Sequence, residues 1–247
     1  MSPVIRWSLT SIWVDNMLEL KDIDLHYGAA QILFGAGLTA EKGKITCVMG
    51  TNGAGKTSLL KVIAGVHPHS GGSYRLDGIE QKNITHFRQA RAGIGYVPHG
   101  RDIFPLLTVR ENLETGFAAL PKAERMVRDE IYELFPVLKQ MQNRRGGDLS
   151  GGQQQQLAIA RALVMQPVIL LLDEPTEGIQ PNIIKQIGEV IIYLRDQGQM
   201  AIILVEQFFD FAHDLGDRFF ALRNGCLILS ENKETVTRAQ LLEAVKV

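Results

Sequence analysis

An α/β fold is predicted for this 247-residue chain, with a parallel-sheet core, an antiparallel β subdomain beside it and an inserted α-helical subdomain. Three observations carry that expectation. The stretches 168–172 and 200–205 are continuously apolar, as strands buried on both faces must be. Between them Ile183, Ile187, Val190, Ile191 and Leu194 recur on one helical face, so the segment reads strand–helix–strand. A third buried strand, 44–49, runs into a glycine-rich turn followed by an apolar helical stretch at 58–64.

Taken in order, residues 1–16 hold both tryptophans and little periodicity, and lack the cationic start, apolar centre and small-residue cleavage site of a signal peptide. They are expected to be a disordered or peripheral extension to a domain of residues 17–247, with Met17 a candidate start. Alternation at 18–20 resumes at 23–27 shifted by one residue, which predicts a bulged antiparallel strand. Further strands are expected at 31–34 and at 73–76, the second closed by an Asp77-Gly78 turn, and a short apolar one at 94–97. From 99 to 150 the pattern is helical. Thr108 and Glu111 have capping-box spacing, and the charged run after Pro121 leads into a second helix through Ile131, Leu134, Phe135 and Leu138. Residues 17–98 and 151–247 therefore supply the core and β subdomain, and 99–150 the helical subdomain. The tail reads as strands at 218–222 and 226–229 around an Asn224-Gly225 turn, then a helix capped by Thr237 and Gln240.

Composition narrows the classes of function. With 45% hydrophobic residues the chain can bury a sizeable core. A net charge of −1 gives no basic field of the kind that draws proteins to nucleic acid, so none is expected as a partner. Cys47 and Cys226 are isolated, without C-x-x-C spacing, and both are expected to be small buried hydrophobes in a reducing compartment. No apolar run approaches the ~20 residues of a membrane-spanning helix, so any membrane role comes through a partner.

The chemistry begins at Gly50-Thr51-Asn52-Gly53-Ala54-Gly55-Lys56-Thr57, followed by Ser58, which fits the phosphate-binding pattern G-x-x-x-x-G-K-[ST]. The glycines let backbone N–H groups turn toward a polyphosphate, Lys56 adds a point charge toward the β- and γ-phosphates, and Thr57 offers a hydroxyl to Mg²⁺. The alternative is a glycine-rich strand-to-helix turn with no ligand, and strand, loop and helix all in place favour the nucleotide. A second cradle is written at Leu149-Ser150-Gly151-Gly152-Gln153: Ser150 can cap a helix through Gln154, Leu157, Ala160 and Val164, and the glycines expose N–H groups at its positive end.

Those five residues reproduce in full the signature of the ATP-binding cassette (ABC) ATPases, which this sequence resembles. The resemblance implies a P-loop NTPase (RecA-like) core that binds ATP and Mg²⁺, and a dimer in which the signature of one subunit closes over ATP on the P-loop of the other. Within it, 168–172 followed by Asp173-Glu174-Pro175 looks like the Walker B element, where Asp173 would hold Mg²⁺ through its water shell and Glu174 would orient and polarise the attacking water. Tyr27 matches the aromatic that stacks on adenine, although an ordinary strand aromatic would look the same. Three positions depart from the family pattern. His99 stands where the Q-loop glutamine is usual, Gln207 where the switch histidine is usual, and Glu177-Gly178-Ile179-Gln180 replaces the aspartate-ending D-loop. His99 can bond near Mg²⁺ or water and titrates near neutrality; Gln207 can donate to a γ-phosphate but cannot become cationic. The expected catalytic set is thus Glu174, Lys56, Gln207 and His99, and the metal set Thr57, Asp173 and His99. His26, His67, His69, His86 and His213 have no common metal-ligand spacing and are expected to be structural or surface histidines.

A closer resemblance covers nearly all of 17–247. The stretches 97–113 (VPHGRDIFPLLTVRENL), 174–181 (EPTEGIQP) and 204–207 (LVEQ) look like the branched-chain amino acid importer group. Within that group, GIQP at 178–181 and EQFFDFA at 206–212 are most similar to the ATP-binding subunits of urea importers. What this implies is an energy-coupling subunit peripheral to the cytoplasmic face of the plasma (inner) membrane, transporting urea or a related small polar solute. Its partners would be a second ATPase subunit, two transmembrane permease subunits and an extracytoplasmic solute-binding protein. The alternatives are a branched-chain amino acid importer ATPase and a soluble ABC ATPase of assembly or repair.

Overall fold

The computed structural model describes residues 16–82 and 84–246. Among them the strands form two sheets. β1 (Asn16–Tyr27), β2 (Ala30–Glu41), β4 (Gly71–Leu76) and β5 (Ile79–Glu80) make an antiparallel sheet in the order β2-β1-β4-β5. β3 (Ile45–Met49), β6 (Ile94–Val97), β7 (Ile169–Asp173), β8 (Ala201–Glu206), β9 (Arg218–Arg223) and β10 (Cys226–Asn232) make the other, in the order β10-β9-β3-β8-β7-β6. Its five inner and far strands run parallel, and only β10 returns antiparallel along β9. The expected bulge in the first strand is present: its pairing with β2 slips between Leu20 and Ile23, around Asp22 at φ 52. The extension expected over the first residues lies, from 1 to 15, outside the described residues, and Asn16 already opens β1.

Both faces of the six-stranded sheet are covered, which is why its strands read as unbroken apolar runs. Alternate residues enter opposite cores. Leu170, Leu172, Ile202 and Leu204 pack with α3 (Val109–Thr115), α6 (Gly151–Val164), α7 (Pro181–Asp196) and α8 (Phe209–Leu215). Ile169, Leu171, Ile203 and Val205 pack with α1 (Lys56–Ile63) and with Leu18, Leu25, Leu33 and Leu38 of the antiparallel sheet. At ~1.5–3 kcal/mol for each large side chain buried, these two layers supply the gross stabilisation that fixes the parallel sheet in place.

The helical region differs from the sequence expectation in one place. The single helix expected through Ile131 and Leu138 is two, α4 (Asp129–Leu134) and α5 (Pro136–Gln140), separated by Phe135 at φ −132, ψ 73. Pro136 has no N–H to continue the ladder, and its ring pushes the preceding residue out of the helical region. The capping boxes at Thr108 and Thr237 form as expected, the latter opening α9 (Arg238–Val245). Cys47 is buried, but Cys226 is exposed, because it is the first residue after the hairpin turn on an edge strand.

Asn112 on α3 is fully buried, and its amide pins the loop that precedes the helix. Its Oδ1 accepts from Phe104 N at 2.8 Å, while Nδ2 donates to the carbonyls of Phe104, Leu107 and Thr108 at 2.9, 3.1 and 2.9 Å. Asn112→Ala leaves a buried N–H and several carbonyls without this partner, and each such loss costs ~1–3 kcal/mol. We expect the variant to unfold at lower urea concentration by a shift of that size in the extrapolated free energy, without a change in the slope of the transition.

Candidate active site

Parallel pairing brings the chemically loaded segments to one edge of the sheet. Met49 lies opposite Glu206, Asp173 opposite Val205, and Val97 opposite Leu172, so the loops after β3, β6, β7 and β8 all leave from the carboxyl ends of neighbouring strands. That edge is where open α/β sheets bind ligands.

Residues 50–55 link β3 to α1. Gly50 is required sterically: a Cβ there would stand 2.3 Å from the Leu222 carbonyl of β9, so any larger residue would push the loop off the sheet. Gly55 occupies the N-cap of α1 at φ 104 and offers no side-chain cap, and the first helical turn carries no acidic residue. The N–H groups of that turn are thus left for an anion, favoured there by the helix dipole. Lys56, only 4% exposed, curls back so that Nζ donates to the Gly50 and Thr51 carbonyls at 2.9 and 3.1 Å, and lies 3.3 Å from Glu174 Oε1.

Glu174 follows β7 in the left-handed region, at φ 49, held by its N–H on the Val205 carbonyl at 2.9 Å. Such a conformation costs a non-glycine residue ~1–3 kcal/mol and aims the carboxylate away from the strand direction. Its second oxygen, Oε2, accepts from Gln207 Nε2 at 2.6 Å. Lys56, Glu174 and Gln207 are therefore one cluster, a carboxylate between a cation and an amide. Beside it the Thr57 hydroxyl donates to Asp173 Oδ1 at 3.1 Å and the Tyr96 hydroxyl to Oδ2 at 3.5 Å. Burial raises the Asp173 pKa above the usual carboxylate value, the Thr57 bond opposing it, and burial also raises that of the Tyr96 hydroxyl, which stays a donor. A buried carboxylate whose partners here are two neutral hydroxyls and the His99 backbone N–H supplies, with Thr57, hard oxygen donors suited to Mg²⁺, so Thr57 and Asp173 fit the ion that the sequence implies.

His99 does not join that pair through its ring. Its Nε2 is hydrogen-bonded to the Glu177 carboxylate, and Glu177 is fixed in turn by its N–H on the Glu174 carbonyl at 3.2 Å. The signature stretch stands apart from the cluster. Ser150 Oγ accepts from Gln153 N at 3.4 Å and Gln153 Oε1 accepts from Ser150 N at 3.0 Å, a capping box that closes the start of α6. Leu149 is buried, and a Cβ on Gly152 would meet Ile183 at 3.0 Å, so that glycine lets α6 approach α7. Tyr27 ends β1 39% exposed, with its ring edge-on to His67 at 4.4 Å between centroids.

Two residues with no role assigned from sequence organise these parts. Glu206, buried at the end of β8, accepts from Thr176 N, Thr176 Oγ1, Gln207 N and Phe208 N at 3.1, 2.7, 3.0 and 3.1 Å. Arg101, at φ 75, donates to Gln155 Oε1 of α6 at 3.2 Å and to the Glu177 carbonyl at 3.1 Å, joining the signature helix to the loop after β7. An acid closing an otherwise apolar strand was the available signal for Glu206; nothing local marks Arg101.

The His99 pKa is raised by its hydrogen bond to Glu177, and further by the charges of Glu177, Glu174 and Asp173, against a smaller lowering by burial. A raised imidazole pKa means that the pair stabilises the fold fully below the ordinary value of ~6.5 and stops doing so as pH rises through the higher folded value. Both groups are more than half exposed, so the stability at stake is under ~1 kcal/mol. By NMR titration His99 should titrate above the ordinary histidine value, and Glu177→Gln should bring it down; an unmoved midpoint would refute the pairing.

The family model described as "ABC transporter" matches residues 33–177. The high-affinity branched-chain amino acid transport ATP-binding protein BraG of Pseudomonas aeruginosa is 40% identical over 232 residues, covering 94% of this chain and 97% of that protein. The probable branched-chain amino acid transport ATP-binding protein LivF of Archaeoglobus fulgidus is 36% identical, over 85% and 89%. Among solved structures, a dimeric ATP-binding cassette in a post-hydrolysis state bound to ADP and Pi superposes with a TM-score of 0.78 at 26% identity, over 88% of this chain and 99% of that one.

Proposed function

The chain belongs to the ABC transporter family and is an ATPase, and from that premise we propose that it is the energy-coupling subunit of a membrane importer. The observation that carries the catalytic part is the Glu174 carboxylate held between Lys56 and Gln207, beside the Thr57–Asp173 pair. Glu174 takes the proton of the attacking water, and Gln207 fixes the carboxylate so that one oxygen faces that water. Lys56 leaves its backbone carbonyls to hold the β- and γ-phosphates together with the N–H groups of the first turn of α1. Thr57 and Asp173 would hold Mg²⁺, which when bound would supply positive charge beside the phosphates. Tyr27 stacks on the adenine, and Ser150 with the N–H groups that follow it meets the γ-phosphate of the opposing subunit. ATP thereby closes a dimer, homo- or heteromeric, and hydrolysis reopens it.

No helix among the described residues is long and apolar enough to cross a membrane, so the coupling runs through permease subunits. A groove of about 340 Å³ lined by His86, Tyr96, Pro98, Phe104, Gly116 and Arg161 offers a seat for a permease segment. Phe87, next in sequence to His86, and Leu106, two residues after Phe104, are 63% and 79% exposed. The subunit would then sit peripherally at the cytoplasmic face, with an extracytoplasmic binding protein delivering solute. For the solute, the names of the two relatives support branched-chain amino acids. The urea reading rests on the similarity of 178–181 and 206–212 alone, so the amino-acid alternative is preferred here.

Steady-state kinetics test the assignment of roles. Glu174→Gln should lower kcat by ~10²–10⁴ while ATP still binds, the range expected for losing a general base. Gln207→Ala, which removes only a hydrogen bond to that carboxylate, should cost less than about tenfold. A nearly silent Glu174→Gln beside a crippled Gln207→Ala would reverse the two roles. Co-expression with its permease should move the chain into the membrane fraction, and persistent solubility there would favour a soluble assembly or repair ATPase. Calorimetry on the partner binding protein then separates leucine-like ligands from urea.

A further inference from the structure

At the position where the family pattern has a neutral amide, this chain places an imidazole among carboxylates. From that geometry we propose that His99, Glu174 and Glu177 form a binding site for a divalent transition-metal ion of the zinc type, distinct in its ligands from the Thr57–Asp173 pair. One ligand atom from each of the three residues lies within 4.8 Å of the others. The arrangement is backed by the chain around it. The N–H of Glu177 donates to the Glu174 carbonyl, so the two residues share one turn, and Arg101, itself bonded to Gln155 of α6, holds the Glu177 carbonyl. His99 reaches them from the loop after β6, already bonded to Glu177 through Nε2.

One imidazole nitrogen with two carboxylate oxygens is a donor set for Zn²⁺, Co²⁺ or Ni²⁺, whereas Mg²⁺ favours oxygen alone. Three protein ligands with further positions left to water is also the pattern of open zinc sites. His99 and Glu177 are exposed and Glu174 partly so, which gives the ion a path in from solvent. A transition ion there takes a carboxylate oxygen of Glu174 that now serves Lys56 or Gln207. That consequence, reversible inhibition of hydrolysis, rests on the role given to Glu174 above; the binding itself does not.

The two can be separated experimentally. The nucleotide-free full chain is titrated with Co²⁺, read by its visible ligand-field absorption, and with Zn²⁺ as competitor. We expect one ion per chain, weakened roughly tenfold or more in H99Q and in E177Q but unchanged in H213Q, which alters the histidine beside Asp214. Circular dichroism confirms that each variant is folded. MgATP and Co²⁺ should weaken each other by the same factor, as linkage requires. Binding that survives in H99Q and E177Q, or no one-to-one binding at all, overturns the site. Tight Co²⁺ binding that leaves turnover untouched would keep the site and count against Glu174 as the hydrolytic base.

Discussion

A buried carboxylate at the end of the central strand holds the catalytic edge together. Glu206 lies where β8, flanked by β3 and β7, reaches the ligand edge, and it gathers two donors from Thr176 on one side and the N–H groups of Gln207 and Phe208 on the other. Burying an ionised carboxylate is expensive, and four hydrogen bonds, each worth ~1.5–3 kcal/mol to a charged group, are what make it tolerable. Burial still dominates, since it raises the Glu206 pKa against the lowering by those bonds. The folded chain therefore takes up a proton between the ordinary carboxylate value and the raised one, and stability falls as pH rises through that window. Above it the charge is fully formed and the loops after β7 and β8 are tied to one anchor.

That anchor explains how Glu174 can remain in a left-handed backbone. The 174–177 turn is fastened at Thr176 to Glu206, at Glu174 N to Val205, and at Glu177 to Arg101. With three attachments the local strain is over-determined, and the carboxylate points to Lys56 without having to find it. The same logic applies across the sheet at Gly50, where β9 leaves no room for a side chain and so fixes the start of the phosphate loop. Parallel register, a strained turn and a steric stop thus converge on positions that differ widely in sequence.

What could be read from the sequence was what local spacing encodes. The phosphate loop, the capped signature and the apolar strand ending in Asp173 each work through their own backbone groups, so a window of ten residues shows them. The partners that complete the cluster are separated by 33 residues for Gln207 and Glu174 and by 78 for His99 and Glu177, and no local pattern pairs them. Asn112 and Arg101 were hidden for the same reason: each satisfies carbonyls or amides of irregular loops whose course depends on tertiary packing. The break before α5 was different, because Pro136 was in plain view and apolar periodicity alone had masked it. Cys226 shows the complementary error, in which residue type suggested burial and strand position decided otherwise.

The departures at 99, at 207 and in the 177–180 loop lie together at one edge of the sheet. An amide at 207 keeps the same charge at every pH, so it holds Glu174 by a neutral hydrogen bond and cannot add a positive charge beside that carboxylate. An imidazole stands instead after β6, at His99, hydrogen-bonded to the Glu177 carboxylate. His99 titrates above its ordinary value through that hydrogen bond to Glu177. Glu177 also accepts through its backbone carbonyl from Arg101, which is bonded in turn to Gln155 of α6, so the loop that carries the partner of His99 is tied to the signature helix.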